Sequence, residues 1–148
     1  MPQLTDWESR ALESVMYDLD GMAGRIKLHD YGRHGTQPKG APVVYGSGQS
    51  GSLLNTQGWT PSQKVLERGS YLTVGDELKF ITQDVWSDIN GRAIIHIAPQ
   101  LRRAPQSGAP VEVRNPYGVF MLDSNENGVD RAPAFVNSIK LKFVEAIV

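Results

Sequence analysis

At 148 residues, with fifteen basic and sixteen acidic side chains and a formal net charge of -1, the chain has room for one domain or two small ones. That balance excludes the basic footprint of a nucleic-acid or membrane binder, unless charge is segregated in space. The absence of cysteine excludes disulfides and thiolate metal or redox chemistry, and fifteen glycines with nine prolines favour a turn-rich, mainly β chain.

The N-terminus, MPQLTDWESR, has no signal-peptide core, and no later apolar run reaches the length of a membrane span, so a soluble chain made in the cytosol is expected. Thr5 followed by Glu8 fits a helix capping box. Trp7, Ala11, Leu12, Val15, Met16 and Leu19 recur at helical spacing on one face, and Gly21 suits the position after the helix end. An amphipathic helix this short must dock on something, so a helix packed on a small antiparallel sheet is expected.

Arg25 to Asp30 then reads as a strand with Ile26 and Leu28 on one face, and 31–42 as a loop without periodicity. PVVYG reads as a short strand. From Val65 to Arg102 the turns become explicit. Gly75-Asp76 separates SYLTV from ELKFITQDV and suits a type II′ hairpin, while Asn90-Gly91 predicts a type I′ hairpin. Within ELKFITQDV the apolar phase slips between Phe80 and Ile81, which predicts a β-bulge there. After the second turn Ala93, Ile95 and Ile97 alternate with Ile94, His96 and Ala98, and Pro99 closes the strand. VEVRN, GVFMLD and NSIKLKFVEAIV complete the strand pattern; in the last, Ile139, Leu141 and Phe143 alternate with Ser138, Lys140 and Lys142. The expected architecture is mainly β (α+β): residues 1–41 and 113–148 form a helix-and-sheet domain, and 42–112 an inserted small β-barrel of OB or SH3 type.

Constellations that carry chemistry elsewhere have plainer readings here. Gly46, Gly48 and Gly51 spell GxGxxG after PVVY, with Glu67 near the spacing of a ribose-binding acid, but Gly58 and Pro61 stand where the dinucleotide helix should run. Ser52 follows Gly51 where a phosphate-binding P-loop has lysine. Asp123, Asn125, Asn127 and Gly128 imitate the start of a calcium loop, yet its twelfth position is Ala134. His29, Asp30 and His34 lack a third and fourth metal ligand at useful spacing. His96 reads as solvent-facing or hydrogen-bonded, and Ser47 and Ser50 sit outside any GxSxG elbow. Asp84 and Asp88 are paired in sequence, but Asp88 belongs to the turn before Asn90-Gly91. Arg102 and Arg103 suit a phosphate or an intersubunit ion pair equally well. The expectation is no enzyme, no metal and no cofactor.

The run from GSGQSGS through GW to APQLR resembles a family of minor tail proteins of long-tailed bacteriophages, of the distal-tail or baseplate-hub type. The matching positions are Leu66, Gly69, Val85, Asp88, Gly91, Pro99, Leu101 and Arg102, with Ser70 where the family usually has aspartate. The resemblance extends weakly into WESRALESVMYDLDGMAGRIKLHD and GVFMLD. It implies a structural component of the virion tail, made in the host cytoplasm, that forms a homohexameric ring joining the tail tube to the adhesion apparatus. Its partners would be itself, the tail tube protein and other tail-tip or hub proteins. Members of that family usually carry a further N-terminal strand region before the helix, so a partner chain supplying strands is one expectation. Interface candidates are Gly46, Gly48, Gly51, Arg102, Arg103, Lys140 and Lys142, with the 29–40 loop. The alternative is a barrel module that binds carbohydrate or single-stranded nucleic acid, with Trp59, Tyr71 and Trp86 as stacking platform; against it stands core packing of the same aromatics.

Overall fold

The computed structural model describes residues 7–8, 10–11, 14, 18, 23–29, 35–122, 129–131, 137–139 and 143–146. In chain order its strands are β1 (Ile26–His29), β2 (Gly40–Val44), β3 (Gly51–Trp59), β4 (Lys64–Leu66), β5 (Tyr71–Val74) and β6 (Glu77–Ile81). They are followed by β7 (Val85–Trp86), β8 (Ala93–Leu101), β9 (Tyr117–Leu122), β10 (Val129–Arg131), β11 (Asn137–Ile139) and β12 (Phe143–Glu145). Two compact units result: Leu28–Gly118 is one, and Met1–Lys27 with Val119–Val148 is the other.

The mainly β character holds, but the expected helix docked on a sheet does not. Trp7, Glu8, Arg10, Ala11, Ser14 and Asp18 have helical backbone, but among the described residues no helix packs on a sheet. Two side chains meant for its buried face, Trp7 at 70% exposure and Ala11, lie in solvent. Helical spacing alone stabilises little without a docked apolar face. The other positions of that reading (Thr5, Leu12, Val15, Met16, Leu19 and Gly21) lie outside the described residues.

The inserted unit is also not a closed barrel. Its main sheet has the open order β2-β3-β8-β6-β5 and curls into a half-barrel. The gap between the edge strands β2 and β5 is spanned by 109–113 through isolated bridges, Val43 to Pro110 and Thr73 to Glu112. Pro110 has no amide to donate, so a regular ladder cannot continue there. Val111 and Val113 nevertheless turn inward and belong to the same core as Val44, Leu54, Ile81 and Ile95.

The curl has identifiable causes. Register shifts fall between Gly40 and Val43 on β2, and between Gly51 and Leu53 on β3. The second lets β8 continue through Pro99 to Leu101 instead of ending at the proline. Proline is tolerated at such irregularities because the ladder is already broken. No shift occurs at Phe80–Ile81, where the bulge was expected: β6 pairs regularly with β8 across both residues, and with β5 as far as Phe80. The apolar slip has another origin. Glu77, Lys79 and Ile81 point inward, whereas Leu78 and Phe80 face outward and are half-buried.

The inner face of β6 therefore carries a buried ion pair. Lys79 is 0% exposed; its Nζ lies 2.8 Å from Glu77 Oε1 and donates to the Gln100 carbonyl at 2.9 Å. The Arg102 and Arg103 amides donate to the two Glu77 oxygens at 2.9 and 3.2 Å. Burial pushes the Glu77 carboxyl up, but the Lys79 hydrogen bond, the two amides and the Lys79 charge together hold it below its ordinary value of 4.5. A lowered folded value means the stabilisation is fully present above about pH 4.5 and is lost below it, as pH falls through the lowered value of the folded state. Unfolding free energies measured from pH 7 downward should fall in this acid window, and Glu77→Gln should flatten that part of the profile. An unchanged profile in the variant would remove Glu77 from the account.

Both hairpin turns differ from expectation. Gly75 and Asp76 have φ of 55° and 62°, positive at both centres, which makes this the type I′ turn. Tyr117 Oη donates to Asp76 at 2.6 Å and helps hold it there. At the second turn only Gly91 has positive φ. The Gly91 amide donates to the Asp88 carbonyl and the Asp88 amide to the Arg92 carbonyl, closing a three-residue loop, Ile89-Asn90-Gly91.

A second sheet runs β1-β9-β12, with Val144 opposite Met121, and β10 pairs with β11. The single C-terminal strand expected at 137–148 is thus two short ones, in different sheets. VEVRN supplies only the isolated bridge at Glu112.

Candidate functional site

The half-barrel leaves an open groove of about 430 Å³ on its surface, lined by Tyr45, Asn55, Thr56, Trp86, Asp88, Arg92, Ala93 and Ile94. Its floor follows from strand alternation. Thr56 and Ala93 face the core and pair across β3 and β8, so Asn55 and Ile94 beside them face out. Ile94 is 57% exposed there.

One wall is Tyr45, just after β2. Its amide donates to the Asn55 carbonyl at 2.9 Å. Gln49 latches the glycine loop against the same place: its Nε2 donates to the Tyr45, Gly46 and Asn55 carbonyls, and its Oε1 accepts the Asn55 amide at 2.6 Å. Arg92 places its guanidinium 4.4 Å from the Tyr45 ring centroid, a cation–π stack that holds both side chains at the rim.

Trp86 on β7 forms another wall. Val85 points into the core, and Ser87 is buried with its hydroxyl donating to the Thr60 carbonyl at 2.6 Å. Strand alternation then forces the indole outward, 65% exposed. Between the walls Asp88 uses Oδ1 to accept the Asn90 and Arg92 amides at 2.8 and 2.9 Å. The groove thus combines one exposed indole, one stacked Tyr–Arg pair, one carboxylate and one amide.

Of the three aromatics expected to stack ligand, only Trp86 lines this groove. Trp59 is 3% exposed, and its indole N–H donates to Thr56 Oγ1 at 2.7 Å. Tyr71 packs edge-on against Phe80 at 5.7 Å. Tyr45, Asn55 and Arg92 escaped the sequence reading, because nothing in their spacing puts residue 45 beside residue 92. The register of β3 on β8 does that.

The interface candidates are scattered. Gly46 and Gly48 in an exposed loop and half-buried Gly51 at the start of β3 all have positive φ, with nothing within 4 Å of an added Cβ. Arg102 is half-buried with its Nε 3.7 Å from Glu77, so its charge is engaged inside the chain; Arg103 is exposed. Lys140 and Lys142 lie outside the described residues, as do 123–128 of the calcium-like loop, Asp30 and His34.

The remaining motifs serve the fold. Glu67 pairs with Lys64 at 3.2 Å, and Asp84 accepts the Arg68 amide. His29 Nδ1 lies 2.9 Å from the Pro116 carbonyl, and half-buried His96 gives its carbonyl to the Thr82 amide. Among the described residues no three His, Asp or Glu side chains gather around a metal position, and no helix is long and apolar enough to cross a membrane. No protein-family model matches the chain, and no curated protein was found that matches it.

Proposed function

We propose that the protein is a structural component of a phage tail tip, forming a homohexameric ring between the tail tube and the host-adhesion apparatus. The observation that carries this reading is where the residues of the resemblance fall. Leu66 and Val85 are core side chains, Gly69 and Gly91 occupy positive-φ turn positions, and Asp88 organises a turn through two backbone amides. Leu101 packs on the core, and the Arg102 amide fixes the buried Glu77. These positions specify a shape, and none of them presents a nucleophile or an acid–base pair. Leu53 and Ile89, 46% and 80% exposed outside the groove, offer apolar contact to a neighbour.

Closing a ring requires a heterologous interface, one patch of a subunit meeting a different patch of the next. The tail tube protein and other hub proteins are the further partners in this reading. Light scattering behind size exclusion should give a mass six times the monomer's 16.3 kDa. Negative-stain images should show rings of that mass. A strictly monomeric particle at the highest workable concentration would refute the proposal.

A further inference from the structure

The groove between Trp86 and the Tyr45–Arg92 stack has a chemistry that ring assembly does not use, and we infer that it binds a neutral saccharide. Trp86 offers an indole face in solvent. Such a face attracts the weakly positive C–H groups on the apolar side of a sugar ring. Beside it stand groups that read hydroxyls. Asp88 Oδ2 accepts no hydrogen bond from the described residues, because both turn amides go to Oδ1. The Arg92 guanidinium forms no ion pair among the described residues, and its in-plane N–H groups remain available while its face rests on Tyr45. A hydroxyl can donate to the first and accept from the second.

Charge and shape select this ligand class over its rivals. One carboxylate and one guanidinium line the groove, and no lysine does, so it holds no net charge for a phosphate or a cation. Single-stranded nucleic acid needs a basic track and successive stacking faces. Here Arg92 covers one face of Tyr45, which is 40% exposed, leaving Trp86 at 65% as the more open platform. The volume, about 430 Å³, lies within the ~300–1,000 Å³ of small-ligand sites. The Gln49 latch and the buried Ser87 fix both walls without a ligand, so little ordering opposes binding.

The test is calorimetric and NMR titration of the full chain with maltotriose, cellotriose, triacetylchitotriose and lactose, each to about 10 mM, a ceiling that detects dissociation constants near 1 mM. At least one should bind saturably and shift the resonances of Trp86 and Arg92. Trp86→Ala should weaken that binding tenfold or more with an unchanged unfolding midpoint, and Arg92→Met should weaken it several-fold. Silence from all four sugars, or binding indifferent to Trp86→Ala, overturns the inference. Tighter binding of a thymidine dodecamer to the same residues overturns it in favour of a nucleic-acid groove. A loss of self-association in Trp86→Ala, without any sugar response, assigns the groove to a second copy of the chain. Ring mass is scored separately, so neither proposal depends on the other.

Discussion

Replacing Lys79 by alanine is expected to destabilise the protein by about 3–5 kcal/mol, read as the loss of unfolding free energy in urea. Most of that cost comes from what the substitution leaves behind. Glu77 would stay buried and charged with its strongest partner gone, held only by the Arg102 and Arg103 amides and the more distant Arg102 guanidinium. The Gln100 carbonyl would lose its donor, and the space of a fully buried side chain would open in the core. Two further variants separate these contributions. Lys79→Met fills the space without the charge and should recover part of the loss. In a Glu77→Gln background no buried carboxylate remains, so Lys79→Ala should cost at least about 1 kcal/mol less than in the native chain. Equal costs in both backgrounds would mean that the pair is not coupled and that only volume matters.

That ion pair also marks the limit of what the sequence reveals. Alternation works on β8, where Ala93, Ile95 and Ile97 go inward as the pattern demands. On β6 the same logic fails. The inward residues include glutamate and lysine while leucine and phenylalanine face out, so polarity reports the wrong phase. A period-2 pattern assumes that the buried face is apolar, and a satisfied internal pair violates that assumption without any bulge.

The interior strand β3 is hidden from the sequence for a related reason. GSLLNTQGW is rich in residues that strands disfavour, and only Leu54, Thr56 and Trp59 face the core. Its place between β2 and β8 comes from long-range pairing that no local window contains. The turns were legible as turns but not as types. Asp76 supplies the second left-handed residue of its hairpin, whereas Asp88 captures the Asn90 and Arg92 amides and draws Asn90-Gly91 into a longer loop. The groove shows the same division. Trp86 was singled out from sequence, but its neighbours Tyr45 and Arg92 converge on it only through the fold.

Gly91→Ala is expected to be among the most damaging small substitutions in the half-barrel, costing about 3 kcal/mol or more, since the left-handed backbone and a lost hydrogen bond each carry ~1 kcal/mol before any core disruption. Gly91 has φ of 75°, and a Cβ there would stand 2.3 Å from the Trp59 carbonyl oxygen. Backbone must therefore move. The segment that moves belongs to a core tryptophan whose amide donates to the Gly91 carbonyl at 3.0 Å and whose indole is tied through Thr56 Oγ1 to the Ala93 carbonyl. Displacing Trp59 disturbs the outer strand pair and the floor of the groove together.

Gly108 supplies the control. It has φ of 85° but nothing within 4 Å of an added Cβ. Gly108→Ala should show the backbone cost alone, about 1–2 kcal/mol. Asparagine separates the two effects further, because it enters the left-handed region more readily than alanine. Gly108→Asn should be nearly neutral, whereas Gly91→Asn should remain as damaging as Gly91→Ala, since the carbonyl of Trp59 is still in the way. If Gly91→Asn unfolds no earlier than Gly108→Asn, the close approach of β3 to this turn has no energetic weight, and the glycine is required only for its φ.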